Sequence, residues 1–199
     1  MVQTKRNIIL RMAQKKGQLR PRDLYAVGIA PSYLQRLQEQ GELTRQGRGI
    51  YMLPDAEITE HHTLAEVGKR VPQGLICLLS ALRFHEIGTE APTATWVALM
   101  RGMKRPSSSD MHLEVVRFSE AGMREGVEKH ILEGVPVRIT SPARTIVDCF
   151  RYRNKIGLDI ALEALREGLR RKVSVAEIRR LSSLFRMERV MRPYLEVLL

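Results

Sequence analysis

At 199 residues, 44% hydrophobic and 28% charged, the chain has the composition of an ordinary globular protein of two small domains or one medium one. Near its start the brief apolar run Ile8-Ile9-Leu10 is too short for a signal-peptide core. No stretch approaches the roughly 18 apolar residues of a spanning helix, so a cytoplasmic protein with no membrane partner is expected.

The net charge of +11 is unevenly placed. Residues 1–55 hold ten Lys/Arg against four Asp/Glu (+6), residues 56–150 eleven against twelve (−1), and residues 151–199 twelve against six (+6). Two basic ends around a neutral middle point to a polyanionic partner, because neutralising phosphates releases condensed counterions. Cys77 and Cys149 have neither CxxC nor framework spacing and read as buried free thiols.

The first helix is predicted over Thr4–Lys16, with Ile8, Ile9, Met12 and Ala13 on one face and Gly17 as its stop. A second starts with Pro21 in its first turn and ends at Gly28, turning Leu24 and Val27 inward. After the Gly28-Ile29-Ala30 turn, a third over Pro31–Gln40 buries Leu34 and Leu37, with Ile29 and Leu43 closing a small core. Two short strands follow, Leu43–Arg45 and Ile50–Leu53, joined by Gln46-Gly47-Arg48-Gly49, in which both glycines can take φ > 0.

This order predicts a winged helix-turn-helix over residues 1–55, with duplex DNA as its partner. In such docking the N-terminal part of the third helix enters the major groove. Gln35 and Arg36 are the residue types that read adenine and guanine edges bidentately. Ser32 and Tyr33 are expected to hold the helix on phosphates, aided by the partial positive charge of its N-terminus. Arg48 at the wing tip would reach a minor groove or the flanking backbone. Arg20, Arg22 and Arg45 complete the candidate DNA-contacting set.

Pro54-Asp55 ends the second wing strand and Ala56–Glu60 reads as a hinge before a second domain over residues 60–199. Residues 61–70 form a helix with Leu64 and Val67 inward, and residues 74–88 read as one largely buried helix bounded by glycines. Strands are predicted at Thr95–Met100, His112–Phe118, Val127–Ile131 and Val135–Ile139, the last two joined at Glu133-Gly134. Arg101–Asp110 is a polar loop.

Ser141-Pro142 opens a helix to about Tyr152. The next helix lines one face with Leu158, Leu162, Leu165 and Leu169. Ser174-x-x-Glu177 is a capping box for another, and a last helix covers Met187–Leu198. The expected fold class is therefore α+β: a winged helix-turn-helix, then a domain with a small, mostly antiparallel sheet and C-terminal helices. Arg166, Arg170, Arg171, Lys172, Arg179 and Arg180 form its candidate basic surface.

No residues assemble into recognisable catalytic or metal-binding chemistry. His61 and His62 are adjacent and diverge on a helix, and His85, His112 and His130 lack a ligand partner at i+3 or i+4. The Ser107-Ser108-Ser109-Asp110 loop lacks the Gly-Ser and Asp-x-Asp of a polymerase-β-type nucleotidyltransferase. Glu114 is followed by Val115 and Val116, without the Lys of a restriction-type nuclease. Phosphate-binding glycine patterns are absent, and no cofactor is expected.

Three blocks, GELTRQGRGIYMLP (Gly41–Pro54), LLSALRFHEIG (Leu78–Gly88) and TSPARTIVDCFRY (Thr140–Tyr152), resemble in order and spacing the AbiE-type antitoxins of type IV toxin–antitoxin systems. The resemblance implies a winged helix that binds inverted repeats upstream of its own operon and represses it. It implies a C-terminal domain that counteracts a nucleotidyltransferase toxin, without requiring a stable complex. The alternatives are a stand-alone regulator whose C-terminal domain senses a ligand, and a nuclease. Within SPARTIVD, Ser141 and Pro142 start the helix and Ile146 and Val147 pack. Arg144 and Asp148 would form an i, i+4 pair worth a few tenths of a kcal/mol on an exposed face, or contribute to an interaction surface.

Overall fold

The structure, a computed structural model, describes residues 4–54, 61–106 and 111–198. The hinge expected at Ala56–Glu60 and the Ser107–Asp110 loop lie outside the described residues. The chain divides into two units, Met1–Glu66 with Ile131–Pro136, and Val67–His130 with Val137–Leu199.

In the first unit, Ile9 and Ala13, four residues apart, anchor α1 (Lys5–Lys16) by its buried face. Helix α2 (Pro21–Tyr25) starts with Pro21 in its first turn, and the Asp23 carboxylate accepts the Arg20 backbone N–H at 2.7 Å. It stops three residues before Gly28, where the Gly28 N–H donates to the Tyr25 carbonyl and the Ile29 N–H to the Leu24 carbonyl. With the helix cut short, Val27 loses its helical relation to Leu24 and is 47% exposed rather than inward, and Ile29 takes the core place.

Helix α3 (Ser32–Glu39) buries Leu34 and Leu37 against Leu19, Leu24, Ile29 and Leu43. Each such fully buried side chain stabilises the unit by about 1.5–3 kcal/mol relative to exposure.

Strands β1 (Thr44–Gly47) and β2 (Ile50–Met52) pair antiparallel, with a register shift between Arg45 and Gly47. Of the two loop glycines only Gly49 takes a positive φ, 73°; Gly47 is the last residue of β1, opposite Ile50. A side chain at position 49 would be strained, which leaves Arg48 at a tight, exposed turn. Leu19 and Tyr51 also exchange backbone hydrogen bonds of 2.7 and 2.9 Å, an antiparallel bridge that ties the α1–α2 connection to β2. A single bridging residue has no sequence period to betray it.

A five-stranded sheet, in the second unit except for residues 131–136, has the order β5-β4-β3-β7-β6. The strands are β3 (Leu75–Ile76), β4 (Thr95–Met100), β5 (Leu113–Phe118), β6 (Val127–Leu132) and β7 (Val135–Thr140). β3 pairs antiparallel with β4, but β3–β7 and β4–β5 are parallel. The sheet is thus mixed, not mostly antiparallel. The reason lies in residues 74–88, which are not one helix. Leu75-Ile76 is the central strand, and only Leu78–Phe84 is helical (α5, after α4 at His62–Arg70). Two apolar residues running into an apolar helix carry no period-2 signal.

Helix α6 (Pro142–Arg151) starts as expected, with Ser141 Oγ accepting the Arg144 N–H at 3.3 Å. Every residue from Ala143 to Phe150 is buried. After the short α7 (Arg153–Ile156), α8 (Leu158–Arg170) turns Ala161, Ala164, Leu165 and Gly168 inward, so that Leu165 alone of the expected leucine stripe is fully buried. Leu158 is 38% exposed, and Leu162 and Leu169 only flank the core. Close approach of α8 to α6 selects small residues: a Cβ on Gly168 would lie 2.4 Å from Ile146 Cδ1.

Helices α9 (Val175–Leu184) and α10 (Glu188–Leu198) close the unit. Ser174 Oγ caps α9 by accepting the Glu177 N–H at 3.2 Å, while the Glu177 carboxylate is paired with Arg180.

The largest correction concerns Arg144 and Asp148. Both are 0% exposed, so they form neither a screened surface pair nor part of an interaction surface. Arg144 Nε donates to Asp148 Oδ2 at 2.9 Å and Nη1 to the Glu125 carbonyl at 2.6 Å. The guanidinium carbon lies 3.8 Å from the Phe185 ring centroid and 5.1 Å from that of Phe118. Because α6 is buried all round, charges spaced i, i+4 do not mark an exposed face.

Burial pushes the Asp148 carboxyl up to about 6, against the opposing pull of Arg144. Its folded pKa therefore lies above its unfolded value. The stability it contributes is full below about pH 4 and is lost as pH rises through about 6. In urea titrations, Asp148→Asn is expected to lack this component between about pH 4 and 7. Identical pH profiles for the native protein and the variant would contradict the assignment.

Candidate nucleic-acid interface

On α3, Ser32, Gln35, Arg36 and Glu39 share one exposed face, opposite the buried Leu34 and Leu37. The Gln35 side-chain amide donates to Glu39 Oε1 at 3.2 Å. Arg36 is exposed and has no partner among the described residues. Tyr33 is half-buried, with Lys5 Nζ 5.5 Å from its ring centroid. Lys5 is the cation that sequence reasoning missed, because its place beside α3 is a tertiary contact between two helices that no spacing reports.

Arg48 stands exposed at the hairpin turn and Arg22 on α2, both without a partner among the described residues. Arg45 Nε curls back to the Gly47 carbonyl at 3.2 Å. Arg20 is half-buried at the start of α2. Arg6 is tied to Glu42 by contacts of 2.9 and 2.7 Å, and Lys16 to Asp23 at 3.2 Å. The cations left without a carboxylate thus include those of α3 and the hairpin turn.

The candidate basic surface of the second unit is more neutralised than its composition indicates. Glu167 holds Arg170 and, at 2.9 Å, Arg171, which also lies 3.6 Å from Glu86. Arg180 makes a bidentate pair with Glu177 at 2.8 and 2.9 Å and reaches Glu125 at 3.3 Å. Arg166, Lys172 and Arg179 are exposed without an ion-pair partner among the described residues, as are Arg186 and Arg189.

Three of the histidines make structural contacts. His62 Nδ1 lies 2.8 Å from Glu133 and His130 Nε2 3.0 Å from Glu128. His85 Nε2 meets the Thr140 carbonyl at 2.7 Å, and burial lowers its pKa. Among the described residues, no group of three His, Cys, Asp or Glu is placed to hold a metal ion. Cys77 and Cys149 are buried free thiols, and desolvation raises both well above the usual thiol range, away from nucleophilic use. Glu114 pairs with Lys155 at 2.9 Å. No helix among the described residues is long and apolar enough to cross a membrane.

The first unit is thus a basic helix-and-hairpin module with Arg36 unpaired among the described residues on the exposed face of α3, and the chain adds an α+β unit. Residues 7–54 match the family described as transcriptional regulator, AbiEi antitoxin. Over that segment, about a quarter of the chain, the chain carries the signature of the AbiE-type antitoxin family. The crystal structure of the RV2827C protein from Mycobacterium tuberculosis shares the fold, with a TM-score of 0.58 at 15% identity over 88% of this chain and 70% of that chain. No curated protein matches the chain in sequence.

Proposed function

We propose that the protein is an autorepressing antitoxin of a type IV toxin–antitoxin system. Residues 1–55 act as a winged helix-turn-helix that binds inverted repeats in its own promoter. Residues 60–199 counteract a nucleotidyltransferase toxin. The observation that carries this reading is the exposed face of α3, with Arg36 unpaired, inside the segment that matches a transcriptional-regulator family. The Leu19–Tyr51 bridge supports it by giving the hairpin a third backbone partner, as a rigid wing requires. Gln35 and Arg36 read base edges, Ser32, Tyr33, Arg20, Arg22 and Arg45 hold phosphates, and Arg48 extends contact from the wing. No cofactor takes part.

The two activities are separable in the full-length chain. The double variant Arg36→Ala, Arg48→Ala is expected to lose repression of a promoter reporter. It is also expected to rescue growth when co-expressed with the toxic product of the adjacent gene, which this reading takes to be a nucleotidyltransferase. Loss of rescue by a variant that remains folded would contradict the division of labour.

A further inference from the structure

Glu39 is the one acid on a helix face that otherwise carries Ser32, Gln35 and Arg36. Other carboxylates of the first unit bond cations, Asp23 with Lys16 and Glu42 with Arg6. Glu39 instead accepts from the Gln35 amide, although Arg36 stands three residues away, at a spacing that permits an ion pair. This choice leaves the guanidinium of Arg36 free.

It also fixes the amide chemically. A carboxylate only accepts, so the Gln35 NH2 must face it, and rotating the amide would bring its oxygen against the carboxylate. One N–H is then engaged, while the carbonyl oxygen and the second N–H stay available. That acceptor–donor pair complements the N6–H donor and N7 acceptor of adenine in the major groove.

We propose that Glu39 is a positioning residue for base recognition, holding Gln35 in the amide orientation that reads adenine. The inference rests on the DNA-binding role proposed for α3. As a negative charge beside the groove, Glu39 also weakens backbone attraction, so its effects on affinity and on discrimination have opposite signs.

The test uses full-length protein and the promoter repeat from upstream of its own gene, with each base pair changed in turn. The native protein is expected to prefer adenine at one position by about 5- to 150-fold, a preference that Gln35→Ala abolishes. Glu39→Ala is expected to reduce that preference at least about threefold, while binding to scrambled duplex stays equal or tightens. Glu39→Gln, whose amide donates as well as accepts, no longer dictates the Gln35 orientation and is expected to lose most of the preference too. Glu39→Asp, which stays acceptor-only, is expected to retain more of it than Glu39→Ala.

A preference that disappears in Gln35→Ala but is unchanged in Glu39→Ala would overturn the positioning role and leave the DNA reading intact. Native protein with no preference sensitive to Gln35→Ala would overturn the base-reading role of Gln35, and with it that of Glu39.

Discussion

Arg144→Ala is expected to destabilise the second unit by about 3–5 kcal/mol, the range for removing one partner of a buried ion pair. The substitution leaves Asp148 buried without its cation, so the carboxyl is either held uncompensated or neutralised by taking up a proton. It also takes the donor from the Glu125 carbonyl and opens the space between Phe118 and Phe185. Against a typical domain stability of about 5–15 kcal/mol, this is enough to leave a large unfolded fraction on warming.

Trp96, the chain's single tryptophan, is 7% exposed in the core of this unit, so its fluorescence reports the unit's unfolding in urea. Replacing both partners by apolar residues, Arg144→Met with Asp148→Leu, is expected to cost less than Arg144→Ala alone, because no charge is then left uncompensated. A loss below about 1 kcal/mol for Arg144→Ala would show that the pair is not the buried contact described.

Arg36→Ala is expected to weaken binding to the promoter repeat by about 1–3 kcal/mol, roughly 5- to 150-fold, with a much smaller effect on scrambled duplex. The expectation follows from Arg36 being the guanidinium on the exposed face of α3 that no carboxylate engages among the described residues. Arg48→Ala should behave differently. A backbone contact from the wing lowers affinity for both duplexes and reduces the slope of log K against log salt by about 0.9. Equal losses on both duplexes for Arg36→Ala would reassign it from base reading to phosphate contact.

The elements proposed to carry function were largely legible in the sequence. Pro21, the Leu34–Leu37 spacing and the Gly-Arg-Gly turn are local signals, and they place α2, α3 and the hairpin within a few residues. What stayed hidden depends on tertiary surroundings. Charge at i, i+4 cannot distinguish the buried Arg144–Asp148 pair from a surface one, because only packing on every side of α6 decides it. The leucine stripe of α8 outranks Ala161, Ala164 and Gly168 on any hydrophobicity count, yet these small residues are buried, and at Gly168 the lack of a side chain permits close approach to Ile146 of α6. Leu75-Ile76 vanishes into the apolar run that follows, and with it the parallel pairings of the sheet. On α3, the sequence named Gln35 and Arg36 but not the partner that orients one and spares the other.

The central claim, sequence-specific DNA binding through α3 and the hairpin, is tested most directly by equilibrium binding of the full-length protein. The probes are its own promoter repeat and a scrambled duplex of the same composition, compared across salt concentrations. The account predicts tighter binding to the promoter by at least about 10³-fold at physiological salt, with affinity for both falling as salt rises. Equal affinity for the two duplexes at physiological salt would contradict it.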